Sequence, residues 1–336
     1  MSEGIISKSQ VEKTVREYAA QLGVRQLTAV NSQPPDYIFQ ADTTYVIRAI
    51  ISENPSAEFA KVTKRIAILR SLQKQGADVM EFSFEPVAKD GVVIVVSPFY
   101  PSAMPIGPDG YRRFGHALAT LHNAGLQAPE AIDALETINP LVKIWELFNY
   151  LRTCEQEGKP FAIQNVSFPG DVLEIFQNQL TKAQAAYDEM MRLAVQKKRL
   201  TALMLDVYPD NIRFDSSGQP KLIDLLGNIA KGPPEYDLAR PSTHWVRRIG
   251  RDPQLLEAFM TGYKKEFSGY GIDDTILQHA VKVANIYYAS SMLKNAVNAH
   301  RLGQPLSKEW QLTETVSRIR HLDDPFYRWK AARDYK

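Results

Sequence analysis

Apolar residues recur every three or four positions along much of the chain, the spacing typical of amphipathic helices. This pattern predicts an early helix over residues 9–22 and a second over 58–75, which Gly76 would end. Farther along, it predicts helices over residues 110–125, 138–157, 170–198, 251–268, 273–300 and 307–321. The chain after residue 110 is therefore expected to be mainly helical.

Runs of β-branched and aromatic residues flank short polar turns in the first hundred residues, a pattern that predicts β-hairpins. One hairpin is predicted from residues 37–40 and 45–50, and another from 80–87 and 92–96. A segment rich in proline and glycine follows at 98–110 and marks a domain boundary. We expect a β-rich N-terminal domain over 1–97 and a helical domain over 98–336.

Composition narrows the class of protein. The 336 residues carry 40 Lys and Arg against 38 Asp and Glu, a net charge of +2 that gives no general attraction to nucleic acid or to an anionic membrane. Cys154 is the single cysteine, which excludes an intrachain disulfide and a Cys-based zinc site. The N-terminus lacks an apolar signal segment, and the longest aliphatic run, 92–96, is far too short to span a bilayer. We expect a cytoplasmic protein with no nucleic-acid or membrane partner.

One segment interrupts the helices with a strong hairpin pattern. Residues 211–214 and 220–224 read as two short strands around the turn 215–218. Folding about that turn places Phe214 opposite Gln219 or Pro220. It also brings Asn211 level with residues near 222–224, so that Asn211 and Asp224 lie at the open end of the ribbon. Asp206 lies five residues before Asn211, so the three side chains can converge there.

These residue types suit phosphoryl transfer. Amide and carboxylate oxygens are ligands that Mg²⁺ accepts while keeping several waters, so Asn211 and Asp224 are the candidate metal ligands. A free carboxylate beside the metal can orient a hydroxyl nucleophile and accept its proton. Asp206 is the candidate for that group.

The same residues belong to a longer pattern. Asp206 and Asn211 have four residues between them. They are followed by Ile223-Asp-Leu-Leu-Gly227 and by Pro233-Pro-Glu-Tyr-Asp-Leu-Ala239, and Gly115–His122 precedes them. In order and spacing, this series resembles the motifs of the aminoglycoside phosphotransferase-like kinases, a group that includes homoserine kinase type II, choline kinase-like proteins and bacterial stress-response kinases. The resemblance covers most of residues 24–300. It implies an α+β, bilobal protein-kinase-like fold, with a small antiparallel-β lobe and a large, mainly helical lobe.

The resemblance also implies roles for individual residues. Asp206 would be the catalytic base, Asn211 and Asp224 would bind Mg²⁺, and Asp237 would hold the catalytic loop in shape. The implied reaction moves the γ-phosphoryl group of ATP to a hydroxyl of a small molecule, an antibiotic or a metabolite alcohol. The N-terminal lobe would bind the nucleotide, and the C-terminal lobe would supply the catalytic loop and the acceptor site.

Nucleotide binding would use three further residues by the same resemblance. Arg48 falls where the family places a cation that contacts the ATP phosphates. Ser97 and Phe99 belong to the hinge that would hydrogen-bond adenine through backbone groups.

The chain departs from the family pattern at several positions. Met204 and Leu205 replace the usual His-Gly before the catalytic Asp, and the phosphate-covering hairpin near residues 30–35 has no glycine. Arg65 stands where a helix Glu is expected to pair with Arg48. Glu58 is the alternative acid on that helix.

Two other functions fit these residues. One is a protein Ser/Thr kinase of the bacterial stress-response type, which segments 27–32 and 286–290 resemble. The other is a catalytically silent nucleotide-binding or scaffold protein, which the departures at Arg65 and in the glycine-free hairpin favour. The retained Asp206, Asn211 and Asp224 argue for catalysis.

Overall fold

The computed structural model describes residues 6–33, 36–158, 162–163, 166–167, 170–248, 253–268, 271–301 and residue 319. The chain divides into two compact units, each assembled from several segments. The first unit comprises residues 1–135, 208–229 and 258–268, and the second comprises 136–207, 230–257 and 269–336. The predicted helix over 307–321, apart from residue 319, lies outside the described residues, as do Pro34 and Pro35.

Helices and strands alternate in the first unit. They are α1 (Lys8–Gln21), β1 (Leu27–Gln33), β2 (Asp36–Ala41), β3 (Tyr45–Ile51), α2 (Pro55–Lys74), β4 (Val87–Lys89), β5 (Val92–Pro98), β6 (Ser102–Ala103), α3 (Pro108–Gln127) and α4 (Pro129–Asp133). The Ser7 side chain accepts a hydrogen bond from the Gln10 N–H at the start of α1, and the Asn54 side chain does the same for Ala57 at the start of α2. These caps explain why both helices begin within three residues of their predicted starts.

An antiparallel sheet with the strand order β1-β2-β3-β5-β4 is the centre of the first unit. One face is packed against α1 through Val11, Val15 and Tyr18. Strand alternation buries Phe39 and Ile47 on that face. The same alternation places a mixture of polar and apolar side chains on the opposite face.

The β10–β11 hairpin belongs to the same unit and has the predicted register. Strand β10 (Ile212–Phe214) follows a single 3-10 turn, Pro209–Asn211, and pairs with β11 (Pro220–Leu222). Phe214 lies opposite Pro220. The Asp215 side chain accepts hydrogen bonds from the backbone N–H groups of Ser217 and Gln219, which fixes the turn.

The second unit is mainly helical. Its elements are α5 (Val142–Gln156), β7 (Ala162–Ile163), β8 (Val166–Ser167), α6 (Gly170–Gln196), β9 (Thr201–Leu203), β12 (Ala230–Gly232), α7 (Pro234–Arg248) and α9 (Asp274–Arg301), while α8 (Pro253–Glu266) contains residues of both units. Its core contains Ile276, Ala280 and Ala284 of α9, which belong to a stripe of residues spaced four positions apart along this helix. The two remaining members of that stripe, at 288 and 292, have side chains outside the described ones. Among the described helices, none is both long and apolar enough to cross a membrane.

Several elements differ from the sequence prediction. The strand predicted over 80–87 is Val87–Lys89, because residues 81–86 form turns and extended chain outside the sheet. Strand β1 was not predicted from the residue pattern, although the resemblance implies a hairpin near residues 30–35; it pairs with β2 and extends the first hairpin. Helix α7 was not predicted either, since Pro241 lies inside it and interrupts the helical pattern.

Candidate active site

Strand register places Arg48 and Asp36 on the same face of the sheet. Arg48 on β3 pairs with Ile38 on β2, and Asp36 lies two residues before Ile38. Residues two apart on a strand share a face, and diagonal neighbours across strands lie about 7–8 Å apart, within reach of a long side chain. The arginine and the aspartate can therefore meet without distortion of the sheet.

Arg48 is held by two carboxylates. Its Nη2 donates to Oδ2 of Asp36 and its Nη1 donates to Oδ1 of Asp224, each at 2.7 Å. Burial of Arg48 opposes its charge, but the hydrogen bond and charge of Asp36, together with the charge of Asp224, outweigh this and raise the pKa of Arg48. The guanidinium is therefore a fixed cation on the sheet face.

A kink after β11 directs Asp224 toward this cation. Its backbone is in the left-handed region, with φ 59°, which aspartate tolerates better than most residues. The second carboxylate oxygen, Oδ2, accepts a hydrogen bond of 3.0 Å from the Asn228 side chain. The carboxylate is thus fixed on one side by Arg48 and on the other by Asn228.

Asn211 lies beside Asp224 because of the hairpin. The backbone N–H of Ile223 donates to the Asn211 carbonyl oxygen at 2.9 Å, one step beyond the last pair of the β10–β11 ladder. Asn211 and Asp224 line the same cavity. The predicted convergence of these two side chains is present within the first unit.

This pair of side chains fits a hydrated divalent cation. Both offer oxygen ligands, and each carboxylate oxygen of Asp224 retains a lone pair after its hydrogen bond to protein. The described residues contain no group of three or more His, Cys, Asp and Glu side chains placed to hold a metal. A cation here would have few protein ligands and several waters or phosphate oxygens, which is the arrangement Mg²⁺ prefers.

The cavity around these residues has a volume of about 580 Å³, within the range of small-molecule sites. Its polar side chains include Asn31, Asp36, Arg48, Asn211 and Arg213. Apolar residues form the rest of its wall: Val30, Ile38, Val46, Met80, Val95, Ile223 and Leu226. One cavity therefore combines an apolar surface with a cation and oxygen ligands.

The predicted hinge residues also line this cavity. Ser97, Phe99 and the residues between and after them contribute to its wall. The backbone N–H of Phe99 donates to the Thr44 carbonyl oxygen at 2.8 Å, so this donor is already used. The adenine base of a nucleotide bound here would therefore have to hydrogen-bond other backbone groups of this segment.

Asp206 lies in the second unit, in the loop after β9. Asp237 of α7 holds this loop, because its carboxylate accepts hydrogen bonds from the backbone N–H groups of Met204, at 2.6 Å, and Leu205, at 3.1 Å. Leu205 has a left-handed backbone with φ 59°, which turns the chain sharply before Asp206. Asp237 therefore holds the loop before Asp206 in shape.

A buried arginine accompanies Asp206. Nη2 of Arg240 lies 4.0 Å from Oδ1 of Asp206, and the guanidinium lies 5.0 Å from the centre of the Tyr287 ring. Burial opposes the charge of Arg240, but interactions with Tyr236 and Tyr287, and to a smaller extent with Asp237 and Asp206, raise its pKa. Asp206 therefore has a permanent cation beside it within its own unit.

Sequence reasoning missed several of these partners. Arg240 could have been found, since it lies three residues after Asp237 on one helix face. For Asp36, the only indication in the sequence was the alternation of β2, which places it on the same face of the sheet as Arg48. The expected helix acid is absent from the Arg48 contacts: Glu58 pairs with Lys61, and Arg65 donates instead to the Leu226 carbonyl oxygen.

Solved structures share this architecture along almost the whole chain. Amicoumacin kinase in complex with AMP-PNP and Ca²⁺ matches with a TM-score of 0.63 and 13% identity, covering 93% of this chain and 93% of that one. This chain has the kinase-like fold of the aminoglycoside phosphotransferases. The predicted α+β fold, with its small antiparallel-β part and its mainly helical part, is confirmed.

Two more phosphotransferases of this fold are similar to the same extent. Aminoglycoside phosphotransferase from Alicyclobacillus acidocaldarius subsp. acidocaldarius DSM 446 matches with a TM-score of 0.60 and 15% identity, covering 93% of this chain and 92% of that one. Spectinomycin phosphotransferase in complex with ADP and spectinomycin matches with a TM-score of 0.56 and 14% identity, covering 94% and 97%. No protein-family model and no curated protein sequence matches this chain.

Proposed function

We propose that this protein is a phosphotransferase that uses ATP and Mg²⁺ to phosphorylate a hydroxyl group of a small molecule. The observation that carries the proposal is the cavity at which Arg48, Asn211 and Asp224 meet. It provides a cation for phosphate oxygens, oxygen ligands for a metal and apolar walls for the adenine ring of the nucleotide. These are the parts that phosphoryl transfer requires of a protein.

Each residue of the cavity has a defined task in this proposal. Arg48 offers its planar guanidinium to phosphate oxygens, which it can bind with two parallel hydrogen bonds. Asn211 and Asp224 hold the metal. When bound, Mg²⁺ neutralises charge on the transferring phosphoryl oxygens.

Asp206 is the proposed catalytic base. It accepts the proton of the acceptor hydroxyl while the hydroxyl oxygen forms a bond to the γ-phosphorus. The bond from the γ-phosphorus to the bridging oxygen breaks, and ADP leaves with that electron pair. Arg240 keeps a positive charge 4.0 Å from this carboxylate.

A small-molecule acceptor is favoured by what the similar proteins act on. They are named for spectinomycin, aminoglycosides and amicoumacin, and two were solved with ADP or AMP-PNP. Antibiotics and metabolite alcohols are therefore the first acceptors to test. The 1–97 and 98–336 domain boundary, the cytoplasmic location and the lack of a nucleic-acid partner stay predictions.

The test is transfer of labelled γ-phosphate by the purified full chain. It is supplied with ATP and Mg²⁺ and screened against aminoglycosides, other hydroxyl-bearing antibiotics, metabolite alcohols and a generic protein substrate. The expected result is Mg²⁺-dependent labelling of a small molecule. Labelling of protein alone would replace the proposal with a protein kinase, and ATP binding without any transfer would replace it with a silent nucleotide-binding protein.

A further inference from the structure

Helix α2 does not supply the acid that holds Arg48. Its early acid, Glu58, lies 3.4 Å from Lys61, one turn along the same helix. At the position where a glutamate is expected, Arg65 donates to the backbone carbonyl oxygen of Leu226. Arg65 thus links α2 to the chain after Asp224. The acid that holds Arg48 on β3 must therefore come from another element.

The anchor comes from the neighbouring strand. Asp36 accepts a 2.7 Å hydrogen bond from Nη2 of Arg48, and the side chains of the pair are 29% and 18% exposed, respectively. Asp36 is the first residue of β2, and its backbone carbonyl also accepts a hydrogen bond from the Asn31 side chain on β1. Two strands therefore fix the acid that holds the arginine.

The other nitrogen atoms of Arg48 show why this anchor matters. Nη1 is bonded to Asp224, a proposed metal ligand, and Nε is buried with no hydrogen-bond partner among the described residues. Without Asp36, the position of the guanidinium would depend on Asp224 alone. Because Asp224 is also a proposed metal ligand, it alone would hold the guanidinium of Arg48 poorly.

We propose that Asp36 is a positioning residue that anchors Arg48 from the hairpin strand, in the role otherwise expected of an acid on α2. Asp36 thereby leaves Asp224 available for the metal. The inference rests on the proposed function, because it concerns how Arg48 is presented to phosphate. It concerns only residues of this chain and the contacts between them.

An opposite effect of Asp36 must be distinguished from this one. A carboxylate beside a triphosphate repels it, so a merely adjacent Asp36 would weaken ATP binding. Neutralising such a residue would tighten ATP binding and leave kcat the same or higher. An anchor predicts the reverse: Asp36→Asn weakens ATP binding and lowers kcat by roughly 10- to 100-fold, the cost of a misplaced binding group.

The experiment compares Asp36→Asn, Asp36→Glu and the control Glu58→Gln in the full chain. The readouts are kcat and KM for ATP, the Kd of ATP by calorimetry with and without Mg²⁺, and the thermal midpoint. We expect Asp36→Asn to lose kcat with a smaller change in KM, and Asp36→Glu to recover part of it. Glu58→Gln should match the wild type, and all midpoints should lie within a few degrees.

A double-mutant cycle tests whether Asp36 acts through Arg48. In an Arg48→Met background, with single-turnover transfer as the readout, adding Asp36→Asn should change the rate less than twofold, because the residue it positions is gone. Equal losses in both backgrounds would overturn the proposal. Tighter ATP binding with unchanged kcat in Asp36→Asn would overturn it as well.

Failure of the proposed function gives a different result. If the wild-type chain neither binds nor turns over ATP, both proposals fall together. If the wild type transfers phosphate and Asp36→Asn does so equally well, only the role of Asp36 is refuted. A wild type that binds ATP without transfer refutes catalysis, and unchanged ATP affinity in Asp36→Asn would then refute the anchor too.

Discussion

The carboxylate of Asp237 accepts a 2.6 Å hydrogen bond from the backbone N–H of Met204. Its other oxygen accepts one from Leu205, so one buried side chain fixes the two residues that replace the family's His-Gly pair. The loop before Asp206 is therefore ordered from α7, by an acid whose hydrogen-bonding oxygens are shielded from water.

Asp237→Asn should destabilise the second unit and reduce activity. The amide keeps one acceptor but turns its NH₂ group toward a backbone N–H, so one buried donor loses its partner at a cost of about 1–3 kcal/mol. The thermal midpoint should fall, with a parallel loss of turnover because Asp206 is less well placed. Glu174→Gln, an exposed change on α6, is the control; equal midpoints for the two variants would contradict the account.

Asp206→Asn tests the catalytic base. The amide cannot accept the hydroxyl proton, so turnover should fall by roughly two to four decades, the usual contribution of a general base. ATP affinity measured by calorimetry should be preserved. Asp210→Asn, an exposed change in the same loop, should retain wild-type turnover; a wild-type rate in Asp206→Asn would remove the assignment.

Asp224→Asn tests the metal ligand. Asparagine tolerates the left-handed backbone at this position, φ 59°, whereas alanine would add strain to the test. In the wild type, ATP should raise the thermal midpoint more with Mg²⁺ than with a chelator present. In Asp224→Asn that difference should vanish, while Glu53→Gln, an exposed acid, should retain it. Persistence of the Mg²⁺ effect in Asp224→Asn would contradict the assignment.

Glu235 and Arg199 form a buried ion pair in the second unit, and Glu235 also accepts a hydrogen bond from the backbone N–H of Asp273. Glu235→Ala would leave a buried guanidinium without its counter-charge, at a cost of about 3–5 kcal/mol. Chemical denaturation should show a large loss of stability. The exposed pair between Glu189 and Arg192 is the control, since Glu189→Gln should leave the midpoint nearly unchanged.

Arg65→Met removes the link from α2 to the chain after Asp224. The Leu226 carbonyl oxygen would lose a charged donor, which costs about 1–3 kcal/mol when the group stays buried. We expect a lower thermal midpoint and a weaker Mg²⁺-dependent response to ATP, because Leu226 lines the cavity. An unchanged response with a lowered midpoint would limit Arg65 to a structural role.

Local patterns predicted most helices and the decisive hairpin. The buried apolar residues of α1, α2 and α9 recur at helical spacing within a single stretch of sequence. The sequence pattern therefore predicts these helices directly. The pairing of Phe214 with Pro220 followed from the turn at Asp215, which is local chemistry. Strand β1 was missed because a bulge between Ala29 and Asn31 interrupts its alternation, although its partner β2 follows it directly. Helix α7 was missed because Pro241 interrupts its helical pattern.

The sequence alone determined the residue types of the site and the short-range convergence of Asn211 with Asp224, because a tight turn sets the register of its own strands. It left open which acid would hold Arg48 and through which groups Asp237 would order the loop at Asp206. Only the tertiary structure decided that the acid is Asp36, from the neighbouring strand, and that Asp237 accepts hydrogen bonds from two backbone N–H groups of that loop. Hydrogen bonds between segments distant in sequence depend on how sheets and helices pack, and many residue pairs in a sequence could form them.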